Sequence, residues 1–530
     1  MTRTVVIGAG AAGLATAALL AREGHVVTVL EKSHAVGGRA GLLERDGFRF
    51  DTGPSWYLMA DAYEHFFALL GTSVAEQFEL ARLDPGYVVF SEPTGGEVRP
   101  PVTVPRGRRR VREMFEEREP GSGARLDEYL DSAWRAHALA RSHFLYNPFT
   151  SLTWAKDRDV LRATWAMVRL LGTSLERFVA RRFRDPVLRQ ILGYPAVFLG
   201  TRPQDAPAMY HLMSALDLDE GVAYPMGGFH AIMDRLAALA REAGANIVTG
   251  AEAQRILTSS GSGRSRRVVG VQWRDEDGKA HGIGADVVVS AADLHHTEST
   301  LLDKPERTHS ARWWNRRTSG PGAVLVMLGV EGELPQLAHH SLLFAKDWRA
   351  NFSAIFDEPT RLPDPASMYV CKPSGTDPTV APPGHENLFL LVPVPADPGI
   401  GHGGADGEGD AVVERLADRA IEQLAHWAAI PDLRERIVLR QTVGPADFER
   451  DFHAWRGGML GPAHTLRQSA MFRAGNASRR VQGLYFAGAS TSPGVGVPMC
   501  LISAELVLKH VRGDRSAGPI PTHTLARAVA

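Results

Sequence analysis

A discontinuous α/β fold is predicted by three observations, each a strand or a strand–turn–helix pattern. The β-branched run Thr4-Val5-Val6-Ile7 breaks on Gly8-Ala9-Gly10-Ala11-Ala12-Gly13 and continues as an Ala/Leu-rich helix over 14–22. A second run, Val26-Val27-Thr28-Val29-Leu30, ends on Glu31. Near the other terminus the apolar segment 483–489 leads through Gly494-Val495-Gly496-Val497-Pro498 into an apolar helix over 499–510. Strands alternating with helices are the mark of an α/β architecture. A chain of 530 residues exceeds one ordinary core, so further structure must be inserted between the two ends.

The N-terminal unit has the chemistry of a dinucleotide site. An unbroken β-branched run suits a strand buried on both faces. Gly8 permits the tight turn, Gly10 lets a pyrophosphate approach the backbone, and Gly13 lets helix and strand pack closely. Ala12 lies in the glycine turn that leads into the helix, whose N-terminus offers free N–H groups and a partial positive charge to phosphate. Glu31, 18 residues after Gly13, stands where a carboxylate accepts hydrogen bonds from ribose hydroxyls and repels a 2′-phosphate. NAD or FAD is therefore expected rather than NADP. Pro498 suits a first helical turn, where its missing N–H would be unpaired anyway.

Composition narrows the class further. Lys and Arg number 59 against 60 Asp and Glu, so no charge field points to nucleic acid. Cys371 and Cys500 are the two cysteines, with no CxxC and no His/Cys spacing of a metal site. Neither a disulfide framework nor a metal centre is expected, and a reducing cytoplasm suits the chain. Residues 4–21 mimic a short signal peptide, but Gly8, Gly10 and Gly13 interrupt them. No other run reaches the ~18 apolar residues of a spanning helix.

Further blocks follow in order: Glu31-Lys32, Gly37-Gly38-Arg39, Phe50-Asp51-Thr52-Gly53-Pro54-Ser55, Asp185-Pro186, Tyr194-Pro195, and Tyr224-Pro225-Met226-Gly227-Gly228-Phe229. With residues 6–13 and 488–498, they resemble the phytoene desaturase family of FAD-dependent, amine-oxidase-like flavoproteins. The resemblance spans most of the chain and is weakest between about 300 and 440. It implies a Rossmann-like, two-dinucleotide-binding domain holding extended, noncovalent FAD. Lys32 belongs to the same fingerprint, and Gly38 and Arg39 would then lie near a phosphate or the flavin edge. Gly53, Pro54 and Ser55 would run near the ring, and the backbone at Ala253 would meet the adenine end. Gly488, Gly496, Val497 and Pro498 would bring a helix N-terminus to the flavin pyrimidine. One departure is Ser492, where a His is common in the family.

The resemblance also implies an activity: dehydrogenation of phytoene or a related carotenoid precursor, hydride passing from an allylic carbon to the flavin. Isomerases, ketolases and desaturases of squalene-like chains share the fold. Prenyl-binding escort proteins share it too, but their cofactor loops are degenerate, whereas this chain keeps its three glycines and Glu31. An apolar isoprenoid offers no polar handle, so an apolar tunnel is expected, with peripheral association at the membrane surface. Quinone or oxygen is the candidate electron acceptor. No Ser/His/Asp set or carboxylate pair stands out, so no catalytic residue is named.

Residues 1–60, 230–300 and 440–515 are assigned to the FAD-binding domain. Residues 61–229 and 301–439 form a mixed α+β, helix-rich substrate domain that meets the membrane, and 516–530 a C-terminal tail. Within the insertion, Val160, Leu161, Thr164, Trp165, Val168 and Leu171 recur at helical spacing. They read as a core-facing stripe or as a face meeting lipid; 154–175 is the candidate contact. The basic cluster 106–112 reads as a solvated loop, or as a contact for anionic headgroups. Residues 396–410, rich in Gly and Asp, have the composition of a mobile surface loop. His211, His295 and His296 read as structural or exposed.

Overall fold

The computed structural model describes residues 1–151, 157–260 and 266–524. Strand Arg3–Ile7 lies at the centre of a five-stranded parallel sheet, in the order Leu484–Phe486, Val287–Ser290, Arg3–Ile7, Val26–Leu30, Asn246–Val248. Val5 pairs with Val288 on one side and Thr28 on the other. Helix Ala11–Arg22 buries every residue from 12 to 21, packed between helices Phe229–Glu242 and Val497–Arg512. Residues 4–21 are therefore core, not a signal peptide. The first and last of these helices begin two or three residues before the apolar patterns at 14–22 and 499–510 that predict them.

A second, antiparallel sheet carries Glu252–Ser260, Arg266–Arg274 and Ala280–Gly284, with Val481–Gln482 beside Arg266–Arg274. The third sheet has seven strands: Ile437–Val443, Gly322–Glu331, His385–Val394, Met368–Cys371, His340–Phe344, Tyr87–Ser91 and Val102–Val104. Its period-2 geometry sends alternate residues to opposite faces. Val324, Val326, Leu328 and Val330 pack under helix Ala411–Trp427, whereas Ala323, Leu325 and Met327 face Phe48, Phe50 and the helices of the insertion. Strand Ile437–Val443 runs across the expected boundary at 440.

Three surface readings are corrected. The basic cluster opens a helix, Arg108–Arg118, and Arg108, Arg110 and Arg112 are paired with carboxylates. Arg108 meets Asp127 at 2.9 Å and Asp131 at 2.6 Å, Arg110 meets Asp84 at 2.5 Å, and Arg112 meets Asp127 at 2.9 Å. The Gly/Asp-rich loop is pinned: Asp447 accepts from Gly403 N at 2.6 Å and lies 2.9 Å from His402 Nδ1, and Gly404 N donates to Thr442 Oγ1 at 2.9 Å. A Cβ on Gly403 would overlap the Thr442 backbone, so the glycine serves close approach rather than mobility. The expected tail begins packed, with Ile520 buried and its N–H donating to Glu505 Oε1 at 2.6 Å; residues 525–530 lie outside the described residues.

One buried carboxylate stands out in the insertion. Asp217 Oδ2 accepts from Tyr194 Oη at 2.7 Å and Tyr87 Oη at 3.0 Å, while Oδ1 has no partner. Burial pushes its pKa up to about 7, against the two tyrosine hydrogen bonds. The folded protein thus binds a proton that the unfolded chain releases near pH 4, and stability from this group falls as pH rises from 4 to 7. Asp217→Asn cannot ionise. Its melting temperature relative to wild type should shift in its favour by roughly 2–5 °C between pH 5 and pH 8. Parallel melting curves at the two pH values test this; a pH-independent difference would contradict it.

Candidate cofactor and substrate site

A single cavity of about 650 Å³ runs from the N-terminal glycine turn to the seven-stranded sheet. Every residue predicted for the cofactor lines it except Gly13. A Cβ on Gly13 would strike the Gly8 carbonyl oxygen, so this glycine sets the approach of helix to strand. Gly8, with φ +95°, makes the turn, and Gly10 and Ala12 border the cavity at the helix start, where the first turn carries no acid. Glu31 is 7% exposed; its Oε2 accepts from Ala9 N at 2.6 Å and its Oε1 from Ser33 N at 2.9 Å. The carboxylate is thereby held against the glycine turn.

Arg39 lines the cavity from the turn Gly38–Ala40. Its Nε and Nη2 are buried without a partner, and its guanidinium lies 5.6 Å from the centre of the Phe452 ring. Burial lowers its pKa, opposed by the nearby Asp293 carboxylate. Lys32 donates to the Arg450 carbonyl at 2.6 Å, and burial lowers its pKa also. Gly38 touches Gly10, and a Cβ on Gly53 would overlap the Arg39 carbonyl, so the turn with Pro54 and Ser55 rests on Arg39. Asp51, just before that turn, caps helix Phe229–Glu242 by accepting from Phe229 N at 2.7 Å and His230 N at 3.0 Å. Burial still pushes Asp51 up to about 6.

A neighbouring part of the wall comes from the C-terminal segment, where Gly488 stands beside Ala12. Gly488 donates its N–H to Ser503 Oγ at 3.0 Å, and Gly496, with φ +114°, precedes Val497 and Pro498 in the first turn of the last helix. Ala253 borders the cavity from strand Glu252–Ser260. An orphaned buried guanidinium, a fixed acid and two helix starts converging on one elongated cavity fit a dinucleotide diphosphate and its ribose.

Sequence reasoning missed Asp293, His296, Phe452 and His453, which also line the cavity. His296, read as structural or exposed, instead stacks on His453 at 3.8 Å between ring centroids. Burial, with His453 and Lys32 close by, holds its pKa down at about 3. A signal existed for Asp293: it follows strand Val287–Ser290, and ligands bind beyond the carboxyl ends of parallel strands. Nothing local marks Phe452 or His453.

Beyond Ser55 the lining turns apolar, with Trp56, Phe198, Leu325, Leu342, Phe344 and Leu391. Trp56 stacks on His340 at 4.4 Å and is flanked by Tyr87, Tyr194 and Phe198. Helix Arg158–Leu171 closes one flank through Met167 and Leu171 but leaves Leu161, Trp165 and Val168 outside, Trp165 at 85% exposure. Leu466, Met471 and Phe472 are also exposed where they border the cavity. The core-facing reading of the helical stripe holds for Val160 alone among its large apolar residues; 154–156 lie outside the described residues.

The glycine geometry separates folding from binding. A side chain at Gly10 meets only ordinary contacts, 3.8 Å from Gly38 Cα, whereas one at Gly13 collides with backbone. Gly10→Val should fold yet retain less than about a tenth of the wild-type flavin, because the branched chain blocks the pyrophosphate path. Gly13→Val should fall in stability by several kcal/mol and express poorly. Absorbance of purified variants, with melting curves, distinguishes these outcomes; full flavin in Gly10→Val would refute the assignment.

The family model for flavin containing amine oxidoreductases matches residues 11–507. A carotenoid 3,4-desaturase of Haloarcula japonica is 41% identical over 94% of this chain and 96% of its own. The zeta-carotene-forming phytoene desaturase of Myxococcus xanthus is 34% identical over 96% of this chain and 93% of its own. Among solved structures, an oxidoreductase from Methanosarcina mazei covers 96% of this chain and 100% of its own, with a TM-score of 0.61 at 18% identity. Putrescine oxidase bound to putrescine covers 97% and 99%, with a TM-score of 0.58 at 15% identity. These structures share the fold. The chain belongs to the FAD-dependent flavin containing amine oxidoreductase family, within its phytoene desaturase branch.

Proposed function

We propose that this protein desaturates a carotenoid polyene, taking two hydrogens from adjacent carbons per step. The observation that carries this reading is the continuity of one cavity from the glycine turn and Glu31 to an apolar channel with an apolar mouth. When bound, FAD supplies the two-electron acceptor for C–H cleavage. The residues of the chain do the rest. Gly8, Gly10, Ala12 and Glu31 would hold the adenosine and diphosphate, with Gly38 and Arg39 opposite and Lys32 and Ala253 toward the adenine. Gly53, Pro54 and Ser55, with Gly488, Gly496, Val497 and Pro498, would frame the ring, and Gly13 keeps the helix close enough to do so. Trp56, Phe198 and Phe344 would clamp the polyene and exclude water from any cationic carbon. The domain division at 1–60, 230–300 and 440–515 is proposed on the same basis.

Helix Arg158–Leu171 and the segment bearing Leu466, Met471 and Phe472 would dip into the bilayer, letting substrate pass directly between lipid and channel. Among the described residues no helix is long and apolar enough to cross a membrane. Quinone or oxygen, both of which partition into that bilayer, would carry the electrons away, and a cytoplasmic membrane face is the proposed location. The paired arginines of helix Arg108–Arg118 leave little net charge for headgroups. Liposome binding should therefore depend weakly on salt and anionic lipid. Trp165→Glu with Val168→Glu should weaken it at least about tenfold, since burying such side chains is worth roughly 1.5–3 kcal/mol each. Flotation at several salt concentrations measures both effects, and unchanged binding would remove this helix from the interface.

The reaction itself is read by mass. Phytoene supplied in liposomes should yield products lighter by two hydrogens per step. The resemblance to a carotenoid 3,4-desaturase favours a second substrate, an already conjugated polyene, which should be offered in parallel. An unchanged mass with altered isomers, or a gain of oxygen, would replace desaturation by isomerisation or ketolation. Acid precipitation should leave flavin in the supernatant; flavin in the pellet would show a covalent link, for which Cys500 borders the cavity.

A further inference from the structure

Behind the turn at Ser55 and Trp56, the seven-stranded sheet gathers three side chains of metal-binding type. One ligand atom from each of His339, His340 and Cys371 lies within 4.8 Å of the other two, and all three residues are buried. His340 and Cys371 face each other across neighbouring antiparallel strands, and the His339 and His340 rings stand 4.5 Å apart at 76°. Each imidazole is already oriented from behind. His340 Nδ1 lies 2.8 Å from Tyr369 Oη and His339 Nδ1 lies 2.7 Å from Thr376 Oγ1. The Nε2 of both rings is buried without a partner.

This is the arrangement that a metal-bound histidine adopts: one nitrogen fixed by an outer hydrogen bond, the other offered to the ion. A buried polar atom left unpaired costs roughly 1–3 kcal/mol, and each of the two rings carries one. Burial holds His339 down at about 3 and His340 well below its ordinary value, so both rings are neutral. Burial pushes the Cys371 thiol up to about 12, and a bound cation would reverse that by taking the thiolate. The surrounding charges allow a cation. Asp377, held in its ionised form against burial by the hydrogen bonds it accepts from Thr379 and Gly227, acts on His339, and Asp51 acts on Cys371. Lys372 is the nearby positive group, engaged by Glu386 at 3.2 Å and the Leu334 carbonyl at 2.9 Å.

We propose that His339 and His340, through their free Nε2 atoms, and Cys371, through Sγ, bind one d10 metal ion, Zn²⁺ or Cu⁺. Two imidazoles and a thiolate suit these ions and not the oxygen-seeking Mg²⁺ or Ca²⁺. The ion ties strand His340–Phe344 to strand Met368–Cys371 and fixes Tyr369, whose hydroxyl lies 2.7 Å from Ser55 Oγ at the cavity wall. Its role is therefore structural support of the wall beside the predicted flavin turn.

Elemental analysis of the flavin-loaded protein, purified without chelator or a metal-affinity tag, reads the site without any substrate. About one zinc or copper per chain is expected, falling below about 0.1 in Cys371→Ser and in His340→Gln. X-ray absorption at the edge of the bound metal should show one sulfur and two imidazole nitrogen neighbours, near 2.3 Å and 2.0–2.1 Å for zinc. That measurement needs no variant, so misfolding of the substitutions leaves the test intact. Wild-type protein that carries no zinc or copper after growth and dialysis with both, or a bound metal without sulfur neighbours, would overturn the proposal. Loss of desaturase activity alone would bear on the proposed reaction and not on the metal.

Discussion

The burial of helix Ala11–Arg22 on nearly all sides is the constraint on which the rest of the molecule depends. A helix with ten consecutive buried residues needs neighbours close on every flank, and short side chains are what permit this. Ala12, Gly13, Ala15, Ala17, Ala18 and Ala21 supply them. Against this helix lie the parallel sheet below, helix Phe229–Glu242 on one flank and helix Val497–Arg512 on the other. Because the last of these carries Gly496 and Pro498 at its start, the same packing brings the two ends of the chain to one cavity. Core packing and ligand geometry are here a single problem.

What was legible in the sequence was local and repetitive: β-branched runs, a glycine at each place where backbone must approach backbone, and an acid at a strand end. Such patterns survive without knowledge of distant partners, which is why Gly8, Gly13 and Glu31 could be given roles from the sequence. Charge was less legible. The cluster from 106 to 112 looks strongly basic in one dimension, yet its neutralising acids, Asp84, Asp127 and Asp131, lie up to 26 residues away. Glycine density misled similarly at 396–410, where it reports tight contact with strand Ile437–Val443. Phe452 and His453 reach the cavity only through tertiary packing, and no periodicity announces them. The His339, His340 and Cys371 grouping was hidden for the same reason, since neighbouring strands and not sequence spacing bring it together.

The seven-stranded sheet divides labour by its pleat. Residues of one parity in Gly322–Glu331 anchor it to helix Ala411–Trp427, and those of the other parity build the channel side. A rigid, dry backing of this kind lets the channel face be almost wholly apolar without collapsing, because stability comes from the face that never meets substrate. Polar groups that remain near the channel, such as Asp217 and His340, are enclosed by aromatic rings, and burial favours the neutral form of each.

The central position of strand Arg3–Ile7 has a consequence for how the molecule is made. Its partner Val287–Ser290 emerges from the ribosome after more than half of the chain, and Leu484–Phe486 near the very end. The first strand can pair early with Val26–Leu30, but its other edge must wait for contacts of very long sequence separation, the kind that slow folding and invite aggregation. The antiparallel hairpins and local helices of the insertion can form meanwhile, since their partners are near in the chain. The sheet that frames the cavity is thus completed last, so the nascent N-terminus alone would lack the part of the flavin wall that the C-terminal segment supplies.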